Sequence, residues 1–354
     1  MQKQFDPRVF QLGYVALETP DIVRAKDHYA EAIGMTETAT GHEGESYLSI
    51  GYEHHNIVLR QAKRKAMGHL GFQLNPGTDL KKLVGELGAF GLSAQIKSDS
   101  QPGIRELVEV EPVPGTTLQL YTDIDAPAPG FKRTGVSPLR LGHVAVISPE
   151  GPKLKTFFMD FLGFWFTDTI AGISNFITCN REHHVVNVVS MPENRVHHIA
   201  FQLKGNASHA MACDLLAERG LPVKWGPSRH TAGHNIAGYH YDPDQVLIEL
   251  YTDMDVFIPE LNMCEARPWH GHYPMAPREW KLTELAAWEP SSPSASRRPE
   301  DAGEVDFGSK GQIYATLSCS PILFAGDPDP SRGNRRSAPG RHDRSVDQRC
   351  ACRV

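Results

Sequence analysis

Three short blocks occur twice in this chain, in the same order and at matched spacing. Leu12-Gly-Tyr-Val-Ala-Leu answers Leu141-Gly-His-Val-Ala-Val, and Gly68-His-Leu-Gly-Phe-Gln-Leu answers His197-His-Ile-Ala-Phe-Gln-Leu. Leu118-Gln-Leu-Tyr-Thr-Asp answers Ile248-Glu-Leu-Tyr-Thr-Asp. From Tyr14 to His69 is 55 residues and to Gln119 is 105; from His143 to His198 and to Glu249 the steps are 55 and 106. Self-similarity of this kind means one structural unit laid down twice. It predicts two homologous domains, over 8–125 and 138–255, joined by the Pro- and Gly-bearing stretch 126–137.

Within the second copy the periodicity alternates. A β-branched run at Val144–Ile147 precedes a stretch with apolar residues at helical spacing, Pro152–Leu162, and short strands are expected at 164–168, 175–179 and 184–189. The order then repeats: a strand at 196–203, a helix at 206–219 closed by Gly220, and strands near 222–226, 237–241 and 246–251. Each domain therefore reads as two βαβββ units, an α+β architecture with four such units in the chain.

Composition excludes several classes. The net charge is −6 with no long run of one sign, which argues against a nucleic-acid surface. No apolar stretch approaches the ~20 residues that span a bilayer, so no membrane partner is expected. Six cysteines without a CxxC pair fit a reduced, cytoplasmic protein. Residues 256–288 read as an extension of the second domain. Beyond them, 289–354 is rich in Ser, Pro and Arg and is expected to be a disordered tail.

The 17 histidines direct the search for chemistry. His143 and His198 stand at repeat-matched strand positions, and Glu249 lies between Ile248 and Leu250 on a third strand, pointing opposite to both. A carboxylate on so apolar a strand is costly to bury unless it is paired or bound to a metal. Two imidazoles and one carboxylate form the facial triad of non-haem Fe(II) oxygenases, which leaves neighbouring positions open. The first copy has Tyr14, His69 and Gln119 there, a poor ligand set, and reads as structural.

Over about residues 8–280 the chain resembles the type I extradiol dioxygenases of the vicinal oxygen chelate superfamily. The segment that carries this is Ser228-Arg-His-Thr-Ala-Gly-His-Asn-Ile-Ala-Gly-Tyr-His-Tyr-Asp-Pro-Asp-Gln-Val-Leu-Ile-Glu249, with His230, Tyr239, the Asp242-Pro243 turn and Glu249 in the family's order. The resemblance implies a glyoxalase-like fold and Fe(II), or alternatively Mn(II), on His143, His198 and Glu249. It further implies a catechol and O2 as substrates, meta cleavage in aromatic-compound degradation, and a homo-oligomer. It gives His230 and Tyr239 to the substrate hydroxyls and an acid–base role to His184, with His183 as the alternative. Ser228, Gly238, Gln245 and the Ala232-Gly233 pair depart from the family's pattern and leave open which catechol is accepted. His234 reads either as facing the pocket or as a loop residue, Phe176 as a core or a wall residue, and His54-His55 as solvent-facing. The other readings are an oxygen-independent enzyme of the same superfamily, a glyoxalase-like lyase or epimerase, and a non-catalytic binding protein.

Overall fold

The computed structural model describes residues 5–267, 271 and 273–288. The tail expected at 289–354 lies outside them. The first copy folds as β1 (Val9–Thr19), α1 (Ile22–Asp27, running on into a wider helical turn at His28–Ile33), β2 (Thr36–Thr40), β3 (Ser46–Ser49) and β4 (Ile57–Gln61). It continues as β5 (Ala66–Leu74), α2 (Leu80–Ala89), β6 (Ala94–Gln101), β7 (Ile104–Val113) and β8 (Thr116–Tyr121). The second copy is β9 (Arg140–Ser148), α3 (Gly151–Thr156, with a wider turn at Phe157–Phe161), β10 (Trp165–Ile170), β11 (Ser174–Thr178) and β12 (Val186–Ser190). Then come β13 (Arg195–Gln202), α4 (Asn206–Glu218), β14 (Trp225–Arg229), β15 (Ile236–Tyr241) and β16 (Leu247–Thr252). The expected βαβββ order therefore occurs four times.

The copies share one pairing scheme. The first forms an eight-stranded sheet in the order β2-β3-β4-β1-β5-β8-β7-β6. The second runs β14-β15-β16-β13-β9-β12-β11-β10, so the first strands of its two modules, β9 and β13, pair antiparallel at the centre. A hairpin of β17 (Phe257–Ile258) and β18 (Met263–Cys264) follows, and β19 (Glu279–Trp280) adds to β10 in parallel. From there the chain crosses to the far side of the sheet, where Ala286 bridges His230 and Ala287 N donates to Arg229 O at 2.6 Å. Residues 278–287 thus form a strap joining both ends of the second sheet.

Alternation along the strands separates packing from chemistry. Val144, Val146, Ile199, Phe201, Ile248 and Leu250 enter one apolar cluster that runs through both copies. Phe72 of the first copy meets Phe158 and Phe164 of the second with ring centroids 5.6 and 6.1 Å apart. The opposite face of the same strands carries His143, His198, Ala200 and Glu249.

Two strand starts in the second copy differ from expectation by two residues or more. The strand expected near 222–226 begins at Trp225: Pro222 has no N–H to give a ladder, and pairing with β15 starts where Lys224 N donates to Tyr239 O at 2.6 Å. The strand expected from His184 begins at Val186, because His183 N donates to Asp255 O, 3.0 Å away beyond β16, instead of to β11.

Candidate metal centre and active site

Sheet register assembles the site. His143 on β9 lies opposite Ala200 on β13, and Ala200 lies opposite Glu249 on β16. The three form one row across three strands, with the smallest chiral side chain in the middle. His198, two residues before Ala200, points to the same face. Over the Ala200 methyl, His143 Nε2 comes to 3.2 Å from Glu249 Oε2, and His198 Nε2 lies 3.3 Å from the same oxygen. One ligand atom from each of the three residues falls within 4.8 Å of the other two.

All three are buried, Glu249 being 1% exposed. Its carboxylate accepts from Tyr239 Oη at 2.7 Å and from Asn235 Nδ2 at 2.9 Å. Burial alone would raise the Glu249 carboxyl, but the charge and hydrogen bond of His143, then His198 and His230, reverse this and hold it well below the carboxylate range. Burial holds His198 well below the usual imidazole range. Its Nδ1 contacts His197 Nδ1 at 2.8 Å, while its buried Nε2 has no hydrogen-bond partner. A buried nitrogen lone pair left over beside an ionised carboxylate and a second imidazole fits a divalent cation. Among the described residues no other set of three or more His, Cys, Asp or Glu is so disposed.

The three remaining residues expected at the site flank this row. Tyr239 lies opposite Glu249 in the ladder. His230, Tyr239 and Trp225 stack: His230 is 4.8 Å from Trp225 at 11° and 5.7 Å from Tyr239 at 15°. Burial, and then the negative charge of Glu249, push the Tyr239 phenol well above its ordinary range, so it is a donor. His184 approaches from the other side, its ring centroid 4.2 Å from that of His143. Burial, followed by His143 and His183, holds His184 well below the imidazole range.

His183 points away, with Nε2 at 3.1 Å from Asp168 Oδ2. His234 has its Nδ1 2.7 Å from Asp255 Oδ2, a loop pairing. Phe176 is 4.8 Å from the His184 ring and packs with Ala232 and Trp280, so it is a wall beside the site. Of His54-His55, expected to face solvent, His54 is partly exposed and His55 is fully buried against Tyr14 and Tyr47.

The first copy shows the same row with other occupants. Tyr14 lies opposite Gly71, and Gly71 opposite Gln119. A Cβ on Gly71 would stand 2.2 Å from the Tyr14 ring, so the bulkier tyrosine requires glycine where the second copy has Ala200. Tyr14 Oη donates to Gln119 Oε1 at 2.6 Å and closes the position with a neutral hydrogen bond.

Sequence reasoning missed Asn235, His197 and Asp168. Asn235 stands inside the His230–Tyr239 segment, and a polar residue there was the available signal. Asp168 lies 110 residues from its partner Arg278, and no local pattern pairs them.

Residues 140–250 match the model of the Glyoxalase/Bleomycin resistance protein/Dioxygenase superfamily. A metapyrocatechase from Pseudomonas sp. (strain CF600) is 24% identical over 70% of this chain and 87% of its own length. The fold is shared with the 2,3-dioxygenase LapB from Pseudomonas sp. KL28, with a TM-score of 0.69 at 20% identity over 78% of this chain and 98% of the other. It is shared equally with an Mn(II)-bound glyoxalase from Novosphingobium aromaticivorans, with a TM-score of 0.70 at 20% identity over 83% and 96%. No helix among the described residues is long and apolar enough to cross a membrane.

Proposed function

We propose that this chain, a member of the Glyoxalase/Bleomycin resistance protein/Dioxygenase superfamily through residues 140–250, is an extradiol dioxygenase. It opens a catechol ring beside its hydroxyls and incorporates both atoms of O2, in the degradation of aromatic compounds. Residues 138–255 are the catalytic domain, 256–288 its extension, and 8–125 a structural domain. The observation that carries the reading is the flanking of the His143–His198–Glu249 row by His230 and Tyr239 on one side and His184 on the other. The backbone alone does not decide, since a glyoxalase shares it.

His143, His198 and Glu249 would hold a divalent ion, Fe(II) or Mn(II), which would supply Lewis acidity toward the catechol oxygens and redox capacity toward O2. The protein's own groups handle protons and shape. Tyr239, whose O–H donates to Glu249 in this structure, would turn that one proton toward the charge that develops on the substrate oxygen, and His230, stacked on it, accepts or donates at the neighbouring hydroxyl. His184, buried and neutral, holds a lone pair for a proton on the opposite side. Phe176 offers the ring an apolar wall. The protein is expected to act as a cytoplasmic homo-oligomer, a state that light scattering reads directly.

The test is to load Fe(II) or Mn(II) without oxygen, add catechol and air, and follow O2 uptake and the yellow ring-opened product. One O2 consumed per ring opened is the expected result. No uptake by protein that retains its metal, across simple, substituted and bicyclic catechols, would move the assignment to the oxygen-independent relatives.

A further inference from the structure

The geometry assigns a positioning role to Asp168: acting through His183, it fixes which nitrogen of His184 carries the proton, and the C-terminal strap holds it in place. The chain of contacts is short and buried. His184 Nδ1 is 3.0 Å from His183 Nδ1, and His183 Nε2 is 3.1 Å from Asp168 Oδ2. His184, His183 and Asp168 are 3%, 2% and 6% exposed.

The direction of each hydrogen bond follows from what each group can do. An ionised carboxylate only accepts, and an indole N–H or a backbone amide only donates. Asp168 Oδ2 accepts from Trp280 Nε1 at 2.9 Å and Oδ1 accepts from Arg278 N at 2.8 Å, so the carboxylate is presented with donors from the strap. His183 Nε2 facing Oδ2 must therefore be the protonated nitrogen. We take His183 as neutral: its other nitrogen is then a lone pair and Nδ1 accepts, whereas a doubly protonated His183 would donate from both nitrogens and move the His184 proton to Nε2. The proton between the two rings belongs to His184 Nδ1, which leaves His184 Nε2 bare.

The His183 ring has little freedom to break this order. Its backbone N donates to Asp255 O at 3.0 Å, and Phe176 lies 5.8 Å from it, centroid to centroid. Gly233, in the left-handed region at φ +81°, brings bare backbone so close that a Cβ there would stand 3.1 Å from His183 Nδ1. The strap is therefore more than a cover. Trp280 and the amide of Arg278 hold the carboxylate that sets the tautomer of a ring beside the metal row.

The inference rests on the dioxygenase reading only for where the His184 lone pair is used. The tautomer itself is read without turnover, in the metal-free full-length protein labelled with 15N-histidine. His184, identified by its loss in His184→Phe, should show its proton on Nδ1. Asp168→Asn should lose that single pattern and give mixed or Nε2-protonated signals. In metal-loaded protein, Asp168→Asn should lower kcat about 10- to 100-fold, up to the low end of a full general acid–base contribution, with KM changed less than about threefold. His183→Asn keeps an acceptor near the old Nδ1 position and should retain more activity than His183→Leu. In the His183→Asn background, Asp168→Asn should cost nothing further. Trp280→Phe, which removes the N–H donor while keeping an aromatic ring, should move the same signals in the same direction as Asp168→Asn.

An Nε2-protonated His184 in the unmodified protein would overturn the proposal, as would an Asp168→Asn effect of equal size with and without His183. If O2 chemistry is absent but the spectra behave as stated, the function assignment fails and the positioning assignment stands.

Discussion

Glu249 gathers four side chains on one carboxylate: Tyr239 and Asn235 as donors, His143 and His198 as facing imidazoles. Such a group is stable where it sits only because each oxygen is answered, and an unanswered buried charge is strongly destabilising. Glu249→Gln keeps the shape and removes the charge. It should leave the fold intact and weaken Fe(II) or Mn(II) binding by more than about 100-fold, beyond the cost of an outer-shell partner, as titration with a competing chelator would show. Undiminished binding would remove Glu249 from the ligand set. At this scale the sequence was informative where repeats could be compared. His143 and Glu249 stood out because the first copy has Tyr14 and Gln119 in their places, and His198 because it stands at the position matched to His69. His197 and Asp168 were not singled out this way, since their partners are set by strand ends and by the strap.

At the scale of elements, strand order and module count were legible because apolar alternation and β-branched runs are local properties. Strand starts were less so. Val186 begins its strand where it does because a distant carbonyl, Asp255 O, takes the amide of His183. The burial of His55 was likewise hidden, since Tyr14 and Tyr47 reach it from other strands. Where α1 runs on at His28, the element meets β15: the His28 and His240 rings are 5.2 Å apart, both are buried, and His28 Nε2 and both ring nitrogens of His240 have no hydrogen-bond partner. Burial lowers His28 to about 4 and His240 to about 3 from the usual 6.5. In each case the unfolded chain binds a proton near pH 6.5 while the folded form refuses it, so stability falls as pH drops from 6.5 toward those values. For His28 alone the loss by pH 5 is about 2 kcal/mol. His28→Leu should therefore lose about 2 kcal/mol less than the parent between pH 7.5 and pH 5, read as the shift in urea midpoint at constant slope. An identical loss in both proteins would show that His28 does not carry the acid limb.

Across the whole molecule, duplication explains both the shape and the division of labour. The same eight-strand scheme is used twice, once around a tyrosine–glutamine hydrogen bond and once around a metal-ready row. Elemental analysis of the loaded protein should find one divalent ion per chain; two would mean that the first copy also binds. The row also draws on two modules at once: His143 comes from β9, while His198 and Glu249 come from β13 and β16. Neither module alone presents three donors. A chain cut in the loop at 191–194 would divide the set, and the ion would bind only after the fragments reassociated. Metal affinity in this protein therefore reports whether the module that carries His143 and the module that carries His198 and Glu249 are held together.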